Sequence, residues 1–103
     1  MRRPVSLTPQ AEDELESQFA YYYLESGEGL AEDFHAAFSK TRDLLAEQPD
    51  VGSARPWLEG DLRVIRVSRP FRNIVVIDRY RPSEREVLIL HVVHGSRNLI
   101  DVL

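Results

Sequence analysis

Residues 87–93 read Val87-Leu88-Ile89-Leu90-His91-Val92-Val93, seven positions of which six are aliphatic. A short run that is apolar at odd and even places alike predicts an interior strand buried on both faces. Strict alternation would set Val87, Ile89 and Val93 on one face and Leu88, Leu90 and Val92 on the other. Working upstream, residues 73–78 hold a second such run, Ile74-Val75-Val76-Ile77, and residues 62–67 alternate imperfectly with arginine. Arg69-Pro70-Phe71 and Arg81-Pro82-Ser83-Glu84 punctuate these runs as turns. Three strands therefore close the chain, over residues 62–67, 73–78 and 86–93.

The first half is built differently. Residues 4–7 form a short strand, and Thr8-Pro9 then opens a helix, with threonine as cap and proline at the first helical position. Glu12, Asp13 and Glu14 place negative charge at the positive end of its dipole. Ala11, Leu15, Phe19 and Tyr22 recur at helical spacing, and Gly27 is a stop. Leu30, Phe34, Ala37, Phe38, Leu44 and Leu45 define a second helix ending before Pro49, and so short a connection makes the pair an antiparallel hairpin. Residues 49–60 read as a loop. The order β-α-α-β-β-β predicts an α+β fold, a helical hairpin packed on a mostly antiparallel four-stranded sheet.

Composition bounds what such a chain can do. Its 103 residues fit a single domain and contain no cysteine, which excludes disulfides, thiolate metal sites and cysteine nucleophiles. Three scattered histidines make no metal-ligand spacing, and there is no glycine-rich phosphate loop, so no cofactor or metal is expected. No apolar run approaches the roughly 18 residues of a membrane helix, and the cytoplasm is the expected location. The net charge of −4 is unevenly spread. Residues 1–54 carry four basic groups against eleven acidic ones, whereas residues 55–103 carry nine arginines against six acids. Arginine's planar fork suits bidentate contact with carboxylates and phosphates, so the asymmetry hints at an acidic or nucleic-acid partner.

Two helices cover one face of a four-stranded sheet. If the last strand is apolar on both, the other face needs cover, because monomers rarely expose contiguous apolar area of several hundred Å². The tail Leu99-Ile100-Asp101-Val102-Leu103 is one candidate cover and a partner chain is another.

The segment His94-Gly95-Ser96-Arg97-Asn98-Leu99 resembles the C-terminal signature of ParE-like toxins, a central strand ending in His-Gly-x-Arg-Asn/Asp-Leu. Thr8-Pro9-Gln10-Ala11 with Leu15, the stretch Leu44-Leu45-Ala46-Glu47-Gln48-Pro49 with Gly52, Arg55-Pro56, Leu62-Arg63-Val64 and Phe71-Arg72-Asn73-Ile74 follow in the order of the ParE/RelE superfamily. The resemblance implies a toxin of a type II toxin–antitoxin system, forming a hetero-oligomer with an antitoxin protein and meeting DNA only through it. In that superfamily the antitoxin lays a helix on the hairpin and an extended piece against the sheet, two known modes of peptide recognition. Leu15, Phe19, Tyr22, Phe34 and Phe38 are the candidate antitoxin contacts, some of which must be core.

By target, the superfamily divides into RelE-like members that cut messenger RNA on the ribosome and ParE-like members that poison DNA gyrase without being enzymes. RNA cleavage needs a base, positive groups for the phosphorane and an acid. Arg72 and Arg97 fall where the two arginines of RelE-like toxins would, and His94 could serve as acid or base. The C-terminal tyrosine of those enzymes is missing, since none follows Tyr80. The expectation is thus a gyrase inhibitor with no catalytic residue. Its target contacts would be Arg63, Arg66, Arg72, His94, Arg97 and Asn98. The alternatives are a ribonuclease using Arg72, Arg97 and His94, or a non-toxic binding module. Of the remaining residues, Tyr21-Tyr22-Tyr23 cannot all face the core, Trp57 reads as a cap on the sheet edge, His35 as solvent-facing and His91 as partly buried.

Overall fold

A computed structural model describes residues 3–55, 58 and 60–95. The elements are β1 (Val5–Leu7), α1 (Pro9–Ser26), α2 (Glu28–Glu47), β2 (Leu62–Arg66), β3 (Ile74–Arg81) and β4 (Glu86–His94). Strands stand in the order β1-β4-β3-β2. β1 runs parallel to β4, while β2–β3 and β3–β4 are antiparallel, so the most apolar strand is interior.

Local chemistry sets the helix ends as expected. Thr8 Oγ1 accepts the Ala11 N–H at 3.1 Å, and Pro9 occupies the first turn, where a missing N–H costs nothing. Gly27, at φ 84°, ends α1 and starts α2. That left-handed backbone is open to glycine without steric penalty. Tyr22, Phe34 and Phe71 pack as a ring cluster with centroids 5.0–5.3 Å apart. Phe71, read from sequence as part of a turn, is only 3 % exposed and joins the main core.

The faces of β4 differ from strict alternation. Ile77 pairs with His91 but Asp78 pairs with Ile89, so Leu90 is an extra residue in the ladder. Such a bulge flips the alternation beyond it. Val87, Ile89 and Val92 consequently share the helix-covered core, and Val93 lies on the opposite face with Val64, Val75 and Ile77. The bulge is held by α1. Thr8 Oγ1 donates to the Leu90 carbonyl at 3.3 Å, and the Val92 N–H is accepted by Glu14 Oε1 at 3.0 Å. Glu14 Oε1 also lies 3.4 Å from His91 Nδ1, an ion-pair distance without hydrogen-bond geometry.

The second face, expected to need cover, is covered within the chain itself. Val75, Ile77 and Val93 are at most 1 % exposed, and Leu58 packs against their cluster. The exposed large apolar residues among those described are Phe19, Tyr21, Tyr23, Leu24, Leu44 and Val51, none of them in the sheet. The bulge exchanges two valines, moving Val92 into the main core and Val93 to the opposite face. Trp57 and residues 99–103 lie outside the described residues. No helix among the described residues is long and apolar enough to cross a membrane.

Candidate functional site

Among the openings on the described surface, two contrast most in chemistry. The first is a groove of about 280 Å³ on the hairpin, lined by Leu15, Glu16, Phe19, Phe34 and His35. Phe34 is its fully buried floor, Leu15 is half-buried, and Phe19 stands 38 % exposed on the rim. Tyr23 follows Phe19 at i+4 and is also exposed, which extends the apolar rim along α1. Of the hairpin residues named from sequence, Leu15 and Phe19 are thus accessible. Tyr22 and Phe38 are core. Of the Tyr21-Tyr22-Tyr23 run, which cannot all face the core, Tyr21 and Tyr23 are exposed, and so is Leu24, which periodicity did not single out.

The second opening is a cleft of about 480 Å³ at the outer edge of β2. Thr41 and Leu44 of α2, Val51, Ser53 and Arg55 of the following loop, and Ile65, Arg66, Ser68, Arg72 and Val75 line it. Its frame is polar and specific. Buried Thr41 donates to Ala37 O and accepts the Ser68 N–H at 3.2 Å, which ties α2 to the chain leaving β2. Arg66 Nη1 donates to the Arg72 carbonyl at 2.8 Å. The Gly95 N–H donates to Asn73 O, and a Cβ on Gly95 would lie only 3.2–3.4 Å from Asn73 O, Val75 Cγ2 and Arg66 Nη1. Asn73 Nδ2 sits 2.9 Å from His94 Nε2.

The fold therefore gathers Arg66, Arg72 and His94 at one end of the sheet and adds Asn73. Arg55 lies across the cleft. Sequence reading missed Arg55 as a site residue, although Arg55-Pro56 is among the motifs that carry the resemblance. Arg63 is elsewhere. Its Nη1 donates to the Gly52 carbonyl at 3.1 Å and its register partner is Asp78. Arg97 and Asn98 lie outside the described residues.

Asp78 is the electrostatic oddity of the structure. It is 0 % exposed, and neither carboxylate oxygen has a hydrogen-bond partner. Burial raises its carboxyl from 3.8 to about 7, against the opposing pull of the Arg63 guanidinium. It lies behind Gly52, where an added Cβ would meet Arg63 Cβ at 3.0 Å, Val64 O at 3.2 Å and Asp78 Oδ1 at 3.5 Å. The loop forming one wall of the cleft is thus pressed onto a buried, unsatisfied acid.

Solved structures share the architecture. A protein of the chromosomal ParDE toxin–antitoxin system from P. aeruginosa superposes with TM-score 0.72 at 17 % identity, over 90 % of this chain and 96 % of that one. A mutant of the E. coli toxin RelE in the free state gives 0.65 at 12 %, over 99 % and 93 %. A chain of the intact E. coli RelBE toxin–antitoxin complex gives 0.57 at 13 %, over 92 % and 99 %. At these identities the likeness shows the fold alone. Among curated proteins none matches the sequence. The family model of the ParE toxin of the type II toxin–antitoxin system parDE matches residues 5–99, nearly the whole chain, and the chain belongs to that family.

Proposed function

We propose that this toxin is neutralised by a cognate antitoxin and, when free, inhibits DNA gyrase in the cytoplasm as a single-domain binding protein without catalysis of its own. The observation that carries the gyrase half is the arginine-rich sheet end around Arg66 and Arg72, where the His94 ring is already engaged by Asn73. A nuclease would need an acid and a base flanking the phosphate. The target contacts are Arg66, Arg72 and His94, continued by Arg97 and Asn98. Arg63, bound to Gly52 O, serves the fold. The antitoxin half rests on the hairpin groove, where Leu15 and Phe19 offer apolar surface to a helix.

Expression of the chain alone tests this. DNA breaks, filamentation and loss of supercoiling by purified gyrase, with intact messages, are expected. The ribonuclease reading keeps one observation in its favour, the proximity of His94 to two arginines. It would be preferred if messages were cut on the ribosome and Arg72→Ala abolished the cutting. Normal growth with the antitoxin still bound would mark a non-toxic binding module.

A further inference from the structure

Among the described residues, the loop after α2 is fastened to the sheet at Ser53 and Gly52. Ser53 and Val64 exchange backbone hydrogen bonds at 2.8 and 2.9 Å, and Arg63 Nη1 donates to the Gly52 carbonyl at 3.1 Å. These contacts hold the wall from which Ser53 and Arg55 line the cleft. Behind that wall lies Asp78, fully buried and with both carboxylate oxygens unpartnered.

A buried carboxyl without partners avoids a desolvated charge by keeping its proton. Once ionised, it needs water or a counter-charge. Gly52 denies it water on the loop side. Even a Cβ there would lie 3.0 Å from Arg63 Cβ and 3.2 Å from Val64 O, with Asp78 Oδ1 at 3.5 Å. A counter-charge stands opposite in the β2–β3 ladder as Arg63, but part of its donor fork is spent on Gly52. The other elements bring little charge to bear. β4 contributes the apolar Ile89, while Asp50 of the loop and Glu47 of α2 are exposed. Tyr80, two residues along β3, accepts a hydrogen bond from Arg3 Nε at 3.0 Å.

We propose that Asp78 is a proton-operated latch on this loop. Protonated, it lets Gly52 lie close against the strands, and the cleft wall is shut. When its proton leaves to solvent, the loop lifts, water reaches the carboxylate, and Arg63 lets go of Gly52 to pair with it. The wall carrying Ser53 and Arg55 then loosens while the rest of the sheet stays folded.

Linkage fixes the direction. With the loop shut, burial holds the carboxyl at about 7, and with the loop lifted it returns toward 3.8. Closure is therefore fully supported below about pH 4 and loses that support as pH rises to about 7. Across this window the open fraction should grow by up to about tenfold per pH unit, then level off. The latch concerns the cleft wall and not the target, so failure of the expression assay would leave it intact.

Amide hydrogen exchange from about pH 5 to about pH 8 tests it, each rate being divided by that of an unprotected amide at the same pH. The Ser53 and Val64 amides should open several-fold more with each step up to about pH 7. The Val92 amide, held by Glu14, should stay far better protected throughout. Asp78→Asn should keep Ser53 at its acid-side protection at every pH. Gly52→Ala, which forces the loop away from Arg63 Cβ, should open Ser53 already at about pH 5. The proposal is overturned if Ser53 protection ignores pH, if its pH dependence survives Asp78→Asn, or if Gly52→Ala leaves it unchanged. Equal opening of Ser53 and Val92 would also overturn it, because the loop would then leave only with the whole fold.

Discussion

The hairpin groove and the β2 cleft are similar in scale and opposite in physics. In the groove, Leu15 and Phe19 surround the buried ring of Phe34, and recognition there depends on removing apolar surface from water, which has no direction and little salt dependence. In the cleft, Arg55, Arg66 and Arg72 stand along the outer edge of β2, so recognition is electrostatic and screened by salt. The groove lies wholly on the acidic half of the chain, whereas the cleft joins the end of α2 and its following loop to the arginine-rich half. Their difference shows how one small chain can present two unlike surfaces, one apolar and the other cationic.

The largest effect separates the floor of the groove from its rim. Phe34→Ala should cost about 4 kcal/mol of folding stability in urea denaturation, because it empties the centre of a ring cluster. Phe19→Ala should cost less than about 1 kcal/mol of stability, since its ring is already part-solvated. Equal losses would mean that rim and floor are one core and the groove is no recognition surface.

A smaller effect lies behind the cleft. Asp78 is protonated more readily in the folded chain, at about 7, than a free aspartate at 3.8. Its protonated form therefore supports folding below about pH 4, and that support is lost progressively as pH rises to about 7. Asp78→Asn should flatten this slope and raise stability at pH 8 by about 2 kcal/mol, with little change near pH 4. Thermal denaturation across that range measures it. A variant less stable than the parent at pH 8 would show that the Asp78–Arg63 attraction outweighs the burial of charge.

Smallest is the response to salt. Raising ionic strength from about 0.1 M to about 1 M shortens the screening length from about 10 Å to about 3 Å. Acidic peptide affinity at the cleft should fall several-fold by titration. An apolar helical peptide that fills the groove should keep its affinity. If both fell together, the proposed distinction between the two surfaces would fail.

Much of this architecture is legible in residue order. Thr8-Pro9, Gly27 and the run from Ile74 to Ile77 announce helix start, helix break and interior strand through local backbone chemistry. The candidate site is legible only in part. Arg66, Arg72 and His94 are far apart in sequence, and it is the ladder Arg66–Val75–Val93 that brings them to one end. Arg55 joins them because a single bridge at Ser53 returns the loop to the edge of β2. Which hairpin aromatic is core and which is rim also escaped the pattern, since Phe19 and Phe34 are chemically alike.

Sequence alone determined the order of elements, their caps and the segregation of acid from arginine, because these depend on neighbours within a few positions. Tertiary structure alone decided the bulge at Leu90, which moves Val92 into the core and leaves Val93 outside it. It also decided the burial of Asp78 and the gathering of Arg66, Arg72 and His94 at one end of the sheet. The physical reason is that strand register and edge exposure are settled by groups from distant segments, here Thr8 and Glu14 of the first helix reaching the last strand.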